Sequence, residues 1–189
     1  MLRLFKLTLI CALALAAHAQ TPSKAQLDAD QAATLKGIQE IAVVVDVNKV
    51  FLSNGLTAEQ LQTDIELRLR KAGIAVVDAT TVMREAMSRP TYDDETKRLI
   101  KRVMDLAVLN ISVSGGTTTS QSSLFFVVLI ELRQAVTIDR NQKEDRCTTW
   151  EDNAIGTLGV GRVLSLKDDV GDLTDRFLNA YLSVNPPVR

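Results

Sequence analysis

Residues Ile41 to Asp78 constrain the fold more tightly than any other stretch of the chain. Ile41-Ala-Val-Val-Val-Asp-Val is a β-branched run, read as a strand buried on both faces or nearly so. Asn54-Gly55 marks a turn. Thr57 follows as a helix N-cap, and Gln60 three residues on completes a capping box. Leu61, Ile65, Leu69 and Ala72 then recur at the spacing of one helical face. Glu59, Asp64 and Glu66 come early on the polar faces and Arg68, Arg70 and Lys71 late, as the helix dipole favours. Gly73 ends the helix in a position suited to a left-handed residue. Ile74 to Asp78 is a short second strand. Parallel strands in this β-α-β unit require a right-handed crossover.

The rest of the chain adds strands in succession. A short helix is expected over Thr80–Met87, broken at Arg89-Pro90. A second runs from about Asp93 to Asp105 with Leu99, Ile100, Val103 and Met104 inward. Residues 107–113 alternate as a half-buried strand, and Gly115–Ser123, small and hydroxyl-rich, reads as a hairpin loop. Leu124–Ile138 is a long strand whose inward parity is Phe126, Val128, Ile130, Leu132, Val136 and Ile138. Arg140–Arg146 reads as a charged turn, Cys147–Ala154 as a partner strand, and Gly156, Gly159 and Gly161 as a loop. Ser165 is placed to cap a last helix with Val170, Leu173, Phe177, Tyr181 and Leu182 inward, ended by Asn185-Pro-Pro. This order predicts an α+β domain. It has a single mixed sheet of about five strands, an opening β-α-β unit, antiparallel hairpins, helices mainly on one face and a C-terminal helix.

The N-terminus sets the expected address. Arg3 and Lys6 precede the apolar run Leu7–Ala17, and Ala17-His18-Ala19 presents small residues where a signal peptidase reads. That run is too short to span a bilayer, which takes about 20 apolar residues. Ile10 before Cys11 disfavours a lipoprotein signal. The expected organisation is a signal peptide over 1–19, a flexible leader over 20–34 with at most a helical turn, and one domain over 35–189. The expected location is periplasmic or extracellular, with no transmembrane helix after cleavage.

Cleavage also removes chemistry. His18 is the only histidine, so the processed chain has no Ser-His-Asp, Cys-His or histidine-metal option. Cys147 is left alone, without an intramolecular disulfide partner, and reads as a small half-buried side chain. Loss of Arg3 and Lys6 leaves 20 basic against 23 acidic residues, so the charge gives no pull toward nucleic acid. The acid pairs are neighbours in sequence, which rarely face each other across a cleft as glycosidase chemistry requires. Gly156-Thr-Leu-Gly-Val-Gly161 lacks the order and the lysine of a phosphate loop, and no cofactor motif is present. Two features stand out as interaction candidates. Glu131 and Arg133 interrupt an apolar strand on one face. Lys97, Arg98, Lys101 and Arg102 make a basic stripe on the 93–105 helix, suited to anionic lipid headgroups or an acidic surface.

The stretches Gly55-Leu-Thr-Ala-Glu-Gln-Leu-Gln-Thr-Asp-Ile-Glu-Leu-Arg-Leu-Arg-Lys-Ala-Gly-Ile74 and Phe177-Leu-Asn-Ala-Tyr-Leu-Ser-Val-Asn-Pro186 resemble a group of uncharacterised bacterial exported proteins. The element order is similar to small envelope domains such as the TolB N-terminal domain and the LpoB-type lipoprotein domains. That resemblance implies an interaction module and no activity. The chain therefore reads as a non-enzymatic exported envelope protein that binds another envelope protein or a surface polymer. The alternatives are a carrier of small apolar ligands or lipids, and a carboxylate-based hydrolase.

Overall fold

Five strands form one mixed sheet in the order β2-β1-β3-β4-β5. They are β1 (Glu40–Val47), β2 (Ala75–Val76), β3 (Ala107–Thr117), β4 (Ser123–Ile138) and β5 (Lys143–Gly159). The computed structural model describes residues 23–89, 91–119 and 122–186. The export signal expected over 1–19, with Cys11 and His18, lies outside the described residues, as does Pro90. The chain divides into two units, one up to Asp30 and one from Gln31 onward. Helix α1 (Lys24–Ala33) has no buried residue, and the buried core begins at Leu35.

The β-α-β unit forms with two departures: β1 is not buried on both faces, since Val44 and Asp46 are exposed, and the second strand shrinks to Ala75–Val76. β1 pairs parallel with β2 and with β3. A short helix α2 (Lys49–Leu52) follows β1, and then α3 (Ala58–Lys71). Thr57 accepts a hydrogen bond from the Gln60 amide, and Leu61, Ile65 and Leu69 are buried. Gly73 closes the helix at φ 85°, a conformation that costs a residue with a Cβ. β3, β4 and β5 are antiparallel neighbours. Helices α4 (Ala79–Ser88) and α5 (Asp94–Asp105) connect β2 to β3, and α6 (Leu166–Val184) ends the fold after a 3-10 turn at Val160–Ser165.

One face of the sheet carries the core. Ile41, Val43 and Val47, then Ala107, Leu109, Ile111 and Val113, then Leu124 to Leu132 at alternate positions, all point into it. There α3 and α6 cover the sheet. Trp150 of β5 meets Phe177 of α6 edge to face, with ring centroids 5.1 Å apart and planes 72° apart. Gly171 is buried in α6 where Arg68 of α3 crosses; a Cβ there would stand 2.9 Å from the guanidinium, which reaches Asp175 at 2.6 Å.

The structure departs from the sequence reading at several points, the first being the ten-residue helix α1 where a leader with a helical turn is expected. The loop after β3 is shorter than expected, because β3 continues to Thr117. The 140–146 stretch is mostly strand: the turn is 139–142, with Gln142 at φ 55° and the Asn141 side chain accepting from the Lys143 amide. Gly156 and Gly159 belong to β5. Gly156 is there for space, since a Cβ would lie 2.9 Å from the ring of Phe126 across the pair. The inward parity of β4 ends at a register shift after Leu132, so Val136 is half-buried and Ile138 exposed. Ser165 donates to the Arg162 carbonyl and makes no cap bond.

Phe177→Ala removes the ring that joins α6 to β5. It is expected to cost about 3–5 kcal/mol in a denaturant-unfolding measurement.

Candidate functional site

Two surfaces stand out: the sheet face opposite the core, covered at Ala42 and open from Val44 onward, and a groove at the start of β1. The face follows from register. Side chains of the parity opposite the core form cross-strand rows: Val44, Asn110, Glu131, Glu151; then Asp46, Ser112, Leu129, Asn153; then Ser114, Val127, Ile155. Val44, Phe125 and Ile155 on this face are 50, 49 and 74 % exposed. Glu131 and Arg133 both stand on it, as the period of two requires. Glu131 accepts a hydrogen bond from Thr148 at 3.3 Å and is the register partner of Glu151. The two acids therefore sit side by side on a flat face rather than across a cleft.

The groove, about 630 Å³ in volume, is walled by residues 36–40, the start of β3 and α5. Its first wall is held from several directions. The Tyr181 hydroxyl donates to the Ile38 carbonyl at 2.8 Å. The Asn185 side chain accepts from the Gly37 amide at 2.8 Å and donates to the Leu35 carbonyl at 2.9 Å. Gln134 donates to the Thr34 carbonyl at 3.1 Å and to the Thr149 hydroxyl at 2.6 Å. Burial raises the Tyr181 phenol above its ordinary value.

The second wall, α5, brings Arg98, Lys101 and Arg102 into the groove. Arg102 grips Glu40 of β1 through two hydrogen bonds of 3.0 and 2.7 Å, which raises its already high pKa. Lys101 pairs with Asp105 at 3.0 Å, and that hydrogen bond raises its pKa. Lys97 does not line the groove. Its ammonium pairs with Asp94 at 3.0 Å and lies 5.8 Å from the centre of the Tyr92 ring. Of the six candidate residues, three therefore meet in one groove and two share the sheet face.

The apolar side of α5 differs from expectation. Leu99, Ile100 and Val103 are only half-buried and Met104 is exposed; Thr96 is the buried residue of this helix. The cause is packing, since α5 lies mainly against α4 and only grazes the sheet. Asp93 does not pair along the helix but caps it, accepting from the Thr96 amide at 2.8 Å. Cys147 is exposed on β5, not half-buried as the sequence suggests.

The sequence pattern places Arg146 in a charged turn; in the structure it belongs to β5. Its Nη2 donates to the carbonyls of Val103, Met104 and Leu106 at 2.9, 2.7 and 2.9 Å. These are end-of-helix carbonyls without partners inside the helix, so one guanidinium closes α5 and holds it to β5.

The crevice at the carboxyl ends of the parallel strands, where open α/β sheets commonly bind ligands, is filled. Asn48 donates to the Gly115 carbonyl, and Phe51 and Leu56 are fully buried there. A Cβ at Gly115 would collide with the Phe125 carbonyl oxygen and stand 2.9 Å from the Phe51 ring.

No family model matches the chain, and no curated protein matches it in sequence. Among solved structures it is similar to a minor lipoprotein from Acinetobacter baumannii, at 9% identity over 79% of this chain and 95% of that one, with a TM-score of 0.38. It is also similar to a lipoprotein from Neisseria meningitidis, at 18% identity over 70% and 98%, TM-score 0.33, and to a hypothetical protein from Chlamydia trachomatis, at 12% identity over 78% and 94%, TM-score 0.34. At these scores the likeness extends to neither ligand nor partner. Among the described residues no helix is long and apolar enough to cross a membrane.

Arg146→Ala is expected to lower stability by about 1.5–3 kcal/mol in a denaturant melt, the scale of hydrogen bonds from a charged donor. Arg146→Lys should recover only part of it, because an ammonium lacks the planar fork.

A pH dependence follows from the caps. The Thr81 hydroxyl and amide hold Asp78 below its ordinary value, and the Thr96 amide and hydroxyl do the same for Asp93. Folding thus favours both ionised forms. Their contribution is complete above the unfolded-state value near about 3.9 and is lost as pH falls through the lower folded values. Hydrogen exchange corrected for intrinsic rates should show α4 and α5 losing protection in that range. Asp93→Asn keeps a capping oxygen and should flatten the response at α5.

Proposed function

We propose that this chain is an exported cell-envelope protein whose work is binding, and that it docks another envelope protein on the open part of the sheet face opposite the core. The observation that carries the reading is the exposure of Val44, Phe125 and Ile155 on one face of β1, β4 and β5. Val127 and Leu129 join Phe125 and Ile155 across β4 and β5, while Asn110 and Ser112 of β3 stand between these and Val44. The exposed apolar patch of β4 and β5, bordered by the polar row of β3 and by Glu131, Arg133 and Glu151, is the pattern of a protein-binding patch. Export is supported by the charged, apolar and small-residue layout of residues 3–19. Arg133 and Glu131 supply charges at the rim, where they set orientation and encounter rate more than affinity.

The rival readings find less support. A carrier of apolar cargo needs a pocket lined mainly by hydrophobic side chains. Eight of the twelve residues that line the 630 Å³ groove are instead charged or polar. Hydrolysis by paired carboxylates needs two acids facing across a substrate, and Glu131 and Glu151 share one flat face.

Photo-crosslinking amino acids placed at Ile155 and Val44 are expected to trap a discrete envelope protein in intact cells. The same probe at Asp64, on the exposed side of α3, should trap none. Equal trapping at all three positions, or none at any, defeats the reading.

A further inference from the structure

We propose that the groove between residues 36–40 and α5 binds the phosphate of a small ester or of a lipid headgroup. Four cations line it, Lys36, Arg98, Lys101 and Arg102, against two acids, Glu40 and Asp105. Both acids are already engaged, Glu40 by Arg102 and Asp105 by Lys101. Lys36 and Arg98 are exposed and make no ion pair among the described residues. The groove thus holds two uncompensated positive charges, one from each wall, which attract the dianion of a phosphate monoester or the monoanion of a phosphodiester headgroup.

The chemistry of the pair fits that ligand. A guanidinium offers a planar fork to two phosphate oxygens, and an ammonium adds a mobile point charge. The backbone that carries Lys36 is pinned on both sides, by Asn185 at Leu35 and Gly37 and by Tyr181 at Ile38. Less ordering is then needed on binding. Arg102 is likewise fixed by its two bonds to Glu40. At about 630 Å³ the groove is of the size that takes a small molecule rather than a bare anion. Ile38, Leu106 and Ala107 in its lining offer apolar contact for the esterified part.

The test uses the protein purified after export. The probes are inorganic phosphate, glycerol 3-phosphate, and vesicles of phosphatidylcholine with or without phosphatidylglycerol. Binding is followed by calorimetry and co-sedimentation. Arg98→Glu and Lys36→Glu should each weaken binding by about tenfold or more, the scale of one lost charge-assisted bond. Lys97→Glu makes the same charge change on the same helix outside the groove and should leave affinity within about twofold. Circular dichroism melts check that each variant folds, and Arg98→Gln serves if Arg98→Glu does not. Binding of glycerol 3-phosphate assigns a soluble ester, and binding only to phosphatidylglycerol vesicles assigns a headgroup; either supports the site. Failure of every probe, or an equal loss in Lys97→Glu, overturns it.

Discussion

The architecture hangs on how α6 lies against the sheet. Phe177 abuts Trp150 of β5, and Val170, Leu173 and Tyr181 continue the same buried stripe. Each such side chain contributes on the order of 1.5–3 kcal/mol on burial. The stripe also delivers the end of the helix to the start of β1. There Tyr181 and Asn185 exchange apolar packing for hydrogen bonds and take hold of residues 35–38. Hydrophobic burial supplies the energy, and the polar end supplies the position. The first wall of the groove is a consequence of both.

The local code was readable wherever an element's partners lie close in sequence. Thr57, the Leu61-Ile65-Leu69 face and Gly73 each act within a turn or two of their own position, so α3 forms as its pattern requires, between a β1 exposed at Val44 and Asp46 and a β2 of two residues. The same logic overreached on α5. Its apolar positions show which side turns inward but not how much structure waits there, and α4 offers only a narrow surface. Spacing could not place Gly156 either. It resembles a loop residue until β4 is laid beside it and the Phe126 ring fills the space where its Cβ would be.

The candidate sites divide along the same line. Strand period alone put Glu131 and Arg133 on one face, and helix position flagged Arg98, Lys101 and Arg102 as a stripe. Neither signal could say that Lys97 turns to Asp94, or that Lys36 arrives from a segment about sixty residues away. Arg146 left no local trace, because the carbonyls it serves lie some forty residues earlier. Contacts of that kind are products of the folded sheet.

The sheet's borders bear on how the molecule behaves when crowded. β2 is two residues long, too short to template a neighbour. At the opposite border, β5 is seventeen residues long, and an exposed row of backbone donors and acceptors of that length invites strand addition. Its sequence resists this: Lys143, Glu144, Asp145 and Arg146 open it, Glu151 and Asp152 follow, and the register shift opposite Leu132 and Arg133 interrupts its regular pairing. Charges brought close by an incoming strand would repel or need desolvation. The chain can therefore leave a long sheet border open without growing into fibres.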